Sequence, residues 1–201
     1  MPGLKMQKHP EVYDPAEDTM LLASNLDARE NMNVLEIGVG SGYVSLIAAQ
    51  KAESVVGIDI NPHAARLAKT NSKLNGIENV EFIVGDLFSP ISSRFDLILM
   101  NPPYLPENEN HHGYIDYSWN GGSDGRSLTD RFIDEVREYL ENDGRIQIVQ
   151  SSLSKHDKTI RKLGERGFKV RIVAECRHFF ENIVLIEATR TSGCISPRID
   201  G

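Results

Sequence analysis

Asn33-Val34-Leu35-Glu36-Ile37 runs straight into Gly38-Val39-Gly40-Ser41-Gly42, and the architecture follows from reading these ten residues together. The first half is a short apolar run with branched side chains, the pattern of a buried strand. The second half is a glycine-spaced turn, and the residues after it (43–51) carry apolar side chains at helical spacing. Glycines at a strand-to-helix junction let the backbone turn tightly and approach a ligand closely. A dinucleotide fingerprint needs its third glycine at position 43, where Tyr43 stands. The spacing is therefore G-x-G-x-G, with Glu36 just ahead of it.

The same alternation continues outward. Further buried strands are expected over 54–58, Val80–Val84, Phe95–Met100 and 145–149, with helices over 62–75 and 128–141 between them. Asn61-Pro62 reads as an N-cap and first-turn pair, and Asn75-Gly76 as a helix stop. Strands alternating with helices imply βαβ units, a parallel sheet and right-handed crossovers. The pattern breaks after a helix over 155–166. Strands at 169–175 and 183–188 are separated by only seven residues, too few for a crossover helix, so they pair antiparallel. The fold class is α/β, with a single domain over 1–190 and a loose aperiodic tail over 191–201.

Composition narrows the function. The 201 residues hold 22 Lys+Arg against 29 Asp+Glu, a net charge of −7, which argues against a chain built to grip nucleic-acid backbone. Cys176 and Cys194 make neither a disulfide framework nor a C-x-x-C pair, as expected of a chain in reducing cytoplasm. The N-terminus lacks the apolar core of a signal peptide, and no apolar run is long enough to span a membrane. His111 and His112 lack further ligands at workable spacing, so no metal is expected. The basic face of Lys155, Lys158, Arg161 and Lys162 reads as solvated.

Three acidic residues mark strand ends: Glu36, Asp59 and, in Gly85-Asp86-Leu87, Asp86. All three face the crevice at the carboxyl edge of the sheet, where ligands of open α/β folds bind. Asp59 can accept both hydroxyls of a ribose and Asp86 an adenine amino group. Three carboxylates suit a cation better than a pyrophosphate, and S-adenosylmethionine, a sulfonium, is such a ligand. Asn101-Pro102-Pro103-Tyr104 directly follows the fourth strand. Each proline fixes its own φ and holds the residue before it extended, so the Asn101 side-chain oxygen and the Pro102 carbonyl point outward together. Two adjacent acceptors can hold both hydrogens of a planar –NH2 group, with Tyr104 against its flat face. Holding both N–H bonds favours the pyramidal nitrogen that attacks a methyl group.

On these residues the chain resembles the HemK-like class I S-adenosylmethionine-dependent methyltransferases, in particular the compact archaeal and eukaryotic branch. The resemblance is carried by Tyr13-Asp14-Pro15-Ala16-Glu17-Asp18-Thr19, the glycine turn, Asp59-Ile60-Asn61-Pro62, Asp86-Leu87, Asn101–Tyr104 and Trp119-Asn120-Gly121-Gly122-x-x-Gly125-Arg126. It implies a Rossmann-like sheet of seven strands, the last antiparallel, with helices on both faces. It also implies cofactor contacts from Thr19, Glu36, Gly38, Gly40, Gly42, Asp59, Ile60, Asp86, Leu87 and Asn101. Catalysis is expected from Asn101, Pro102, Pro103 and Tyr104. Glu17 and Asp18 suit a first helical turn, and the resemblance has their segment close over the cofactor. Trp119 and Arg126 belong either to an internally packed loop or to a wall of the peptide cleft. The substrate implied is the glutamine of a Gly-Gly-Gln loop in a class I translation release factor, and the N-terminal helical domain of bacterial members is expected to be absent. A small zinc-binding activator at the third-strand edge is the implied partner, since an uncovered apolar edge is an aggregation hazard. Two other reactions suit parts of the pattern: N6-methylation of adenine in DNA or RNA, and protein lysine methylation.

Overall fold

The computed structural model describes residues 3–103, 125–177, 179 and 181–190. In chain order the elements are α1 (Glu17–Ser24), β1 (Asn33–Ile37), α2 (Tyr43–Ala49), β2 (Ser54–Asp59), α3 (Pro62–Leu74), β3 (Val80–Val84) and β4 (Phe95–Met100). They continue with α4 (Ser127–Glu135), β5 (Leu140–Ser151), α5 (His156–Glu165), β6 (Phe168–Arg177) and β7 (Asn182–Arg190). The strands form one seven-stranded sheet in the order β3-β2-β1-β4-β5-β7-β6. Pairings from β3 through to β5 are parallel, while β7 runs antiparallel to both of its neighbours. The expected α/β class, the terminal antiparallel pair and the edge position of β3 are all present.

Both faces of the sheet are apolar. Leu35, Ile37, Ile98 and Met100 pack with Phe132, Ile133 and Val136 on one side. Val34, Leu97 and Leu99 pack with Leu22 and Val44 on the other. Alternate residues of one strand thus enter two different cores, which is why these strands read as continuous apolar runs and not as alternating ones.

Two boundaries differ from the sequence expectation by more than two residues. The helix expected over 128–141 ends at Glu135, and a 3-10 turn (Val136–Tyr139) hands the chain to β5. Leu140 pairs with Phe95 and Arg145 with Leu97, so residues 141–144 bulge out between two sheet contacts. The apolar spacing that looked helical is satisfied by the sheet, because Leu140 is fully buried against β4.

A strap precedes α1 and lies along α3. The Asn71 side chain accepts from Gln7 N–H (2.8 Å) and donates to the carbonyls of Gln7 (3.3 Å) and Ser41 (2.9 Å). Asn75 repeats the two-way bond with Lys5, at 2.9 and 2.8 Å. An amide side chain carries both donor and acceptor, so each asparagine satisfies an otherwise unpaired stretch of backbone.

Gly42 shows how tightly α2 meets α3. It has φ +84, and a Cβ there would stand 2.8 Å from the Ala68 Cβ. Gly42→Ala is expected to destabilise the fold by about 2–4 kcal/mol, from left-handed strain and overpacking together. Gly164→Ala, inside α5 with nothing within 4 Å of the new methyl, should stabilise by about 0.5–1 kcal/mol. Thermal melting of the two variants beside the parent checks both signs.

Candidate active site

The glycine loop lies at the carboxyl edge of β1 and is held there from β2. The Asp59 carboxylate accepts the Gly40 N–H at 2.9 Å and the Asn61 N–H at 2.9 Å. Gly38 N–H donates to Ile58 O at 2.8 Å. Gly38, Gly40 and Gly42 all have positive φ, the region that costs a residue bearing Cβ about 1–2 kcal/mol. A Cβ on Gly38 would lie 3.9 Å from the Asn101 carbonyl, and one on Gly40 3.8 Å from the Tyr13 carbonyl. The missing side chains therefore leave a cradle between β1, β4 and the N-terminal segment. Gly42 serves helix packing instead, as described above.

Glu36 is 2% exposed, and the Ser45 hydroxyl of α2 donates to its carboxylate. Burial pushes its carboxyl up from 4.5 to about 8, against the lowering pull of Ser45, and the negative charge of Asp59 adds to the rise. Burial also raises Asp59, opposed by the N–H groups of Gly40 and Asn61. Asp86 is paired with Arg131 of α4, at 2.8 and 3.3 Å. The three strand-end carboxylates thus have different surroundings. One is buried on α2, one holds the glycine loop and one shares its charge with an arginine. Leu87 follows with φ +48, a strained setting for a branched side chain, of the kind that clusters at ligand sites. Ile60, 46% exposed just past β2, offers an apolar surface beside Asp59.

Asn101 leaves β4 next to this cradle. Its Nδ2 donates to Thr19 Oγ1 at 3.4 Å, and its buried Oδ1 has no hydrogen-bond partner. Thr19 is oriented in turn by Asp18, which accepts from its N–H (2.6 Å) and hydroxyl (3.2 Å) and from the Tyr13 hydroxyl at 3.0 Å. The chain Tyr13–Asp18–Thr19 thereby consumes the donor end of the carboxamide and leaves the acceptor end available. Pro102 is buried and Pro103 half-buried. Tyr104, His111, His112 and Trp119 lie outside the described residues. Arg126 is 2% exposed and holds the turn after β5, donating to Ser154 O (2.7 Å), Lys155 O (3.1 Å) and Thr159 Oγ1 (3.0 Å). That settles Arg126 as internal packing. The Arg131 partner of Asp86, the Ser45 partner of Glu36 and the asparagine ties of the strap went unread in the sequence, while Tyr13 and Asp18 were signalled by their place in a motif.

No group of three or more His, Cys, Asp or Glu capable of holding a metal occurs among the described residues. No described helix is long and apolar enough to cross a membrane.

Sheet order and glycine cradle define a Rossmann-like α/β fold, with an unpartnered acceptor just past the end of β4. The methyltransferase small domain profile matches residues 4–180. A protein of Methanocaldococcus jannaschii, named provisionally as a protein N5-glutamine methyltransferase, is 49% identical over 191 residues, covering 94% of this chain and 96% of its own. Human methyltransferase HEMK2 is 32% identical over 178 residues, 79% of this chain and 80% of its own. Among solved structures, the E. cuniculi Mtq2–Trm112 complex, described as responsible for methylation of the translation termination factor eRF1, gives a TM-score of 0.72 at 23% identity. That match covers 90% of this chain and 99% of the other. A Pyrococcus furiosus methyltransferase also gives 0.72, at 17% identity over 94% and 90% of the two chains. The chain belongs to the methyltransferase small-domain family, within the HemK-like class I methyltransferases.

The family implies S-adenosylmethionine as methyl donor, and the cradle fits it: glycine backbone at Gly38 and Gly40, a strand-end carboxylate at Asp59 and an exposed apolar side chain at Ile60. The Glu36 carboxyl, ordinarily near 4.5, sits at about 8 in the folded chain. The native state therefore keeps a proton that the unfolded chain has released, and stability falls as pH rises through this window. Glu36→Gln stays neutral at every pH. Its melting temperature should match the parent near pH 5 and lie several degrees above it near pH 9. Melting curves that shift equally at both ends would contradict the buried neutral carboxyl.

Proposed function

We propose that this chain transfers a methyl group from S-adenosylmethionine to the side-chain amide nitrogen of a glutamine, the one in the Gly-Gly-Gln loop of a class I release factor. One observation carries the reading: a buried Asn101 Oδ1 with no donor, fixed in orientation through Thr19. A buried acceptor without a partner costs about 1–3 kcal/mol, which a substrate N–H recovers. The names of relatives point the same way, as does the eRF1 methylation ascribed to the Mtq2–Trm112 complex.

The donor, when bound, supplies an electrophilic methyl group. Gly38, Gly40, Asp59, Ile60, Asp86 and Leu87 hold it in this reading, with Glu36 and Gly42 shaping the loop and Thr19 beside it. An amide lone pair is delocalised and a poor nucleophile. Asn101 Oδ1 and the Pro102 carbonyl accept the two N–H bonds, hold the lone pair forward and stabilise the positive charge that develops on nitrogen. In this reading the part of a flat wall against the amide falls to Tyr104. Orientation then supplies much of the acceleration.

The methyltransferase domain spans 1–190 in this reading, followed by a tail at 191–201. A cytoplasmic setting agrees with two cysteines that form neither a disulfide framework nor a C-x-x-C pair in the sequence. A small zinc-binding activator is placed on the β3 edge. Support comes from the terminal position of β3 and from Val84, 53% exposed on that strand.

Labelled methyl from S-adenosylmethionine should enter intact release factor, and should enter neither the same factor with its Gly-Gly-Gln glutamine changed to alanine nor duplex DNA. Label retained on the alanine form overturns the assignment. Asn101→Ala should lower transfer at least a hundredfold with cofactor affinity kept. Thr19→Val, which removes the hydroxyl that holds Asn101 and bonds Asp18, should lower kcat by roughly tenfold. Full activity in either variant refutes the role given to the carboxamide.

A further inference from the structure

The described residues hold four buried side-chain polar atoms without a hydrogen-bond partner: Asn101 Oδ1, His156 Nδ1, Glu181 Oε1 and Asn182 Oδ1. Orphaned buried polar groups are rare in folded chains, and each calls for a reason. Chance would scatter them. These four share one edge of the sheet. Asn101 follows the carboxyl end of β4, and His156 follows the carboxyl end of β5 through the short turn Ser152–Ser154. Glu181 just precedes β7 and Asn182 opens it; the strand runs antiparallel to β5 and so begins where β5 ends. The edge is tied together by the Asn182 N–H, which donates to Ser152 Oγ at 3.0 Å.

The register gives the span. Met100 is level with Ile148 across β4–β5, and Ser151 with Ile183 across β5–β7. Asn101 and Asn182 are thus two strand spacings apart and offset by about three residues of rise, roughly 14 Å. An extended chain covers that in about four residues. The orphaned atoms of Asn101 and Asn182 are amide oxygens and that of Glu181 a carboxylate oxygen, all acceptors, and His156 Nδ1 takes either role with its tautomer. A row of acceptors is complementary to backbone N–H groups, and an extended peptide offers one toward a given side at every second residue. Phe179, 92% exposed, stands on the turn joining β6 to β7 at this edge and adds an apolar contact.

We infer that the edge formed by the ends of β4 and β5 and the start of β7 is a peptide-binding subsite. It receives an extended segment flanking the acceptor residue, with Glu181 and Asn182 accepting its backbone N–H groups about four residues from the methylated side chain. The inference rests on the glutamine reading above and extends it from the reacting amide to the peptide that carries it. Glu181 and Asn182 touch the substrate chain and not the reacting nitrogen, so they set KM and leave the chemical step to Asn101.

The test is steady-state transfer from saturating labelled S-adenosylmethionine, with intact release factor varied, for the full-length chain and for Asn182→Ala, Glu181→Ala and Asn182→Asp. Each alanine variant is expected to raise KM for release factor about five- to tenfold, with kcat within twofold and unchanged affinity for S-adenosylhomocysteine. Asn182→Asp keeps an acceptor in place and should return KM to near the parental value. Parental KM in both alanine variants overturns the subsite. So does an aspartate variant as impaired as alanine, because the loss then reflects packing. If the parental enzyme itself transfers nothing to release factor, the glutamine reading falls and takes the subsite with it. Active parental enzyme matched by its variants removes the subsite alone.

Discussion

Two backbone N–H groups, those of Gly40 and Asn61, converge on the Asp59 carboxylate, and the rest of the site takes its position from that contact. Hydrogen bonds to a charged acceptor contribute about 1.5–3 kcal/mol each, enough to fix a loop whose glycines would otherwise wander. The Gly40 bond sets the cradle, and the Asn61 bond sets the first turn of α3. Asn61 then accepts from His63 N–H and donates to Glu11 O, while Asn71 further along α3 returns to Ser41 O in the glycine loop. Loop, helix and N-terminal strap form a closed ring of polar contacts, anchored on one side chain.

The strand–helix alternation, the antiparallel end of the sheet and the place of Asn101-Pro102-Pro103 just after β4 were legible because each is written locally. Apolar runs, a seven-residue gap and a pair of prolines need no distant partner to be understood. What was not legible depends on partners far along the chain. Arg131 lies 45 residues from Asp86, and nothing around either residue announces the pair. Asn71 looks like an ordinary helix amide and Asn75 like no more than a helix stop until the strap lies across them. Helix α4 ends early because Leu140 is drawn to Phe95, a sheet contact that overrides a continuing helical period. Thr19 was signalled only by motif resemblance; its hydroxyl matters through Asn101, 82 residues away.

Acidity at the crevice therefore acts differently from a bare anionic trap. Glu36 is neutral near physiological pH, Asp59 is occupied by N–H groups and Asp86 by Arg131. The polar groups left beside them are neutral: the glycine backbone and the Asn101 carboxamide. Fixed dipoles in a sheltered site need no reorganisation when charge develops on a nearby nitrogen.

The place of β7 between β5 and β6 has a consequence for how the chain folds. The first five strands in chain order can pair as they emerge during synthesis, each against a neighbour already made. The β5 flank, however, must wait for residues 182–190, made after β6. Until then it is an open sheet edge carrying Ile146 and Ile148, both fully buried in the finished fold. The tight pairing from Arg177 and Asn182 lets β6 and β7 form first as a hairpin, a fast local event, and dock as one body. Closure of the sheet is thus a single late step, and the interval before it is when the nascent chain is most exposed to edge-to-edge association.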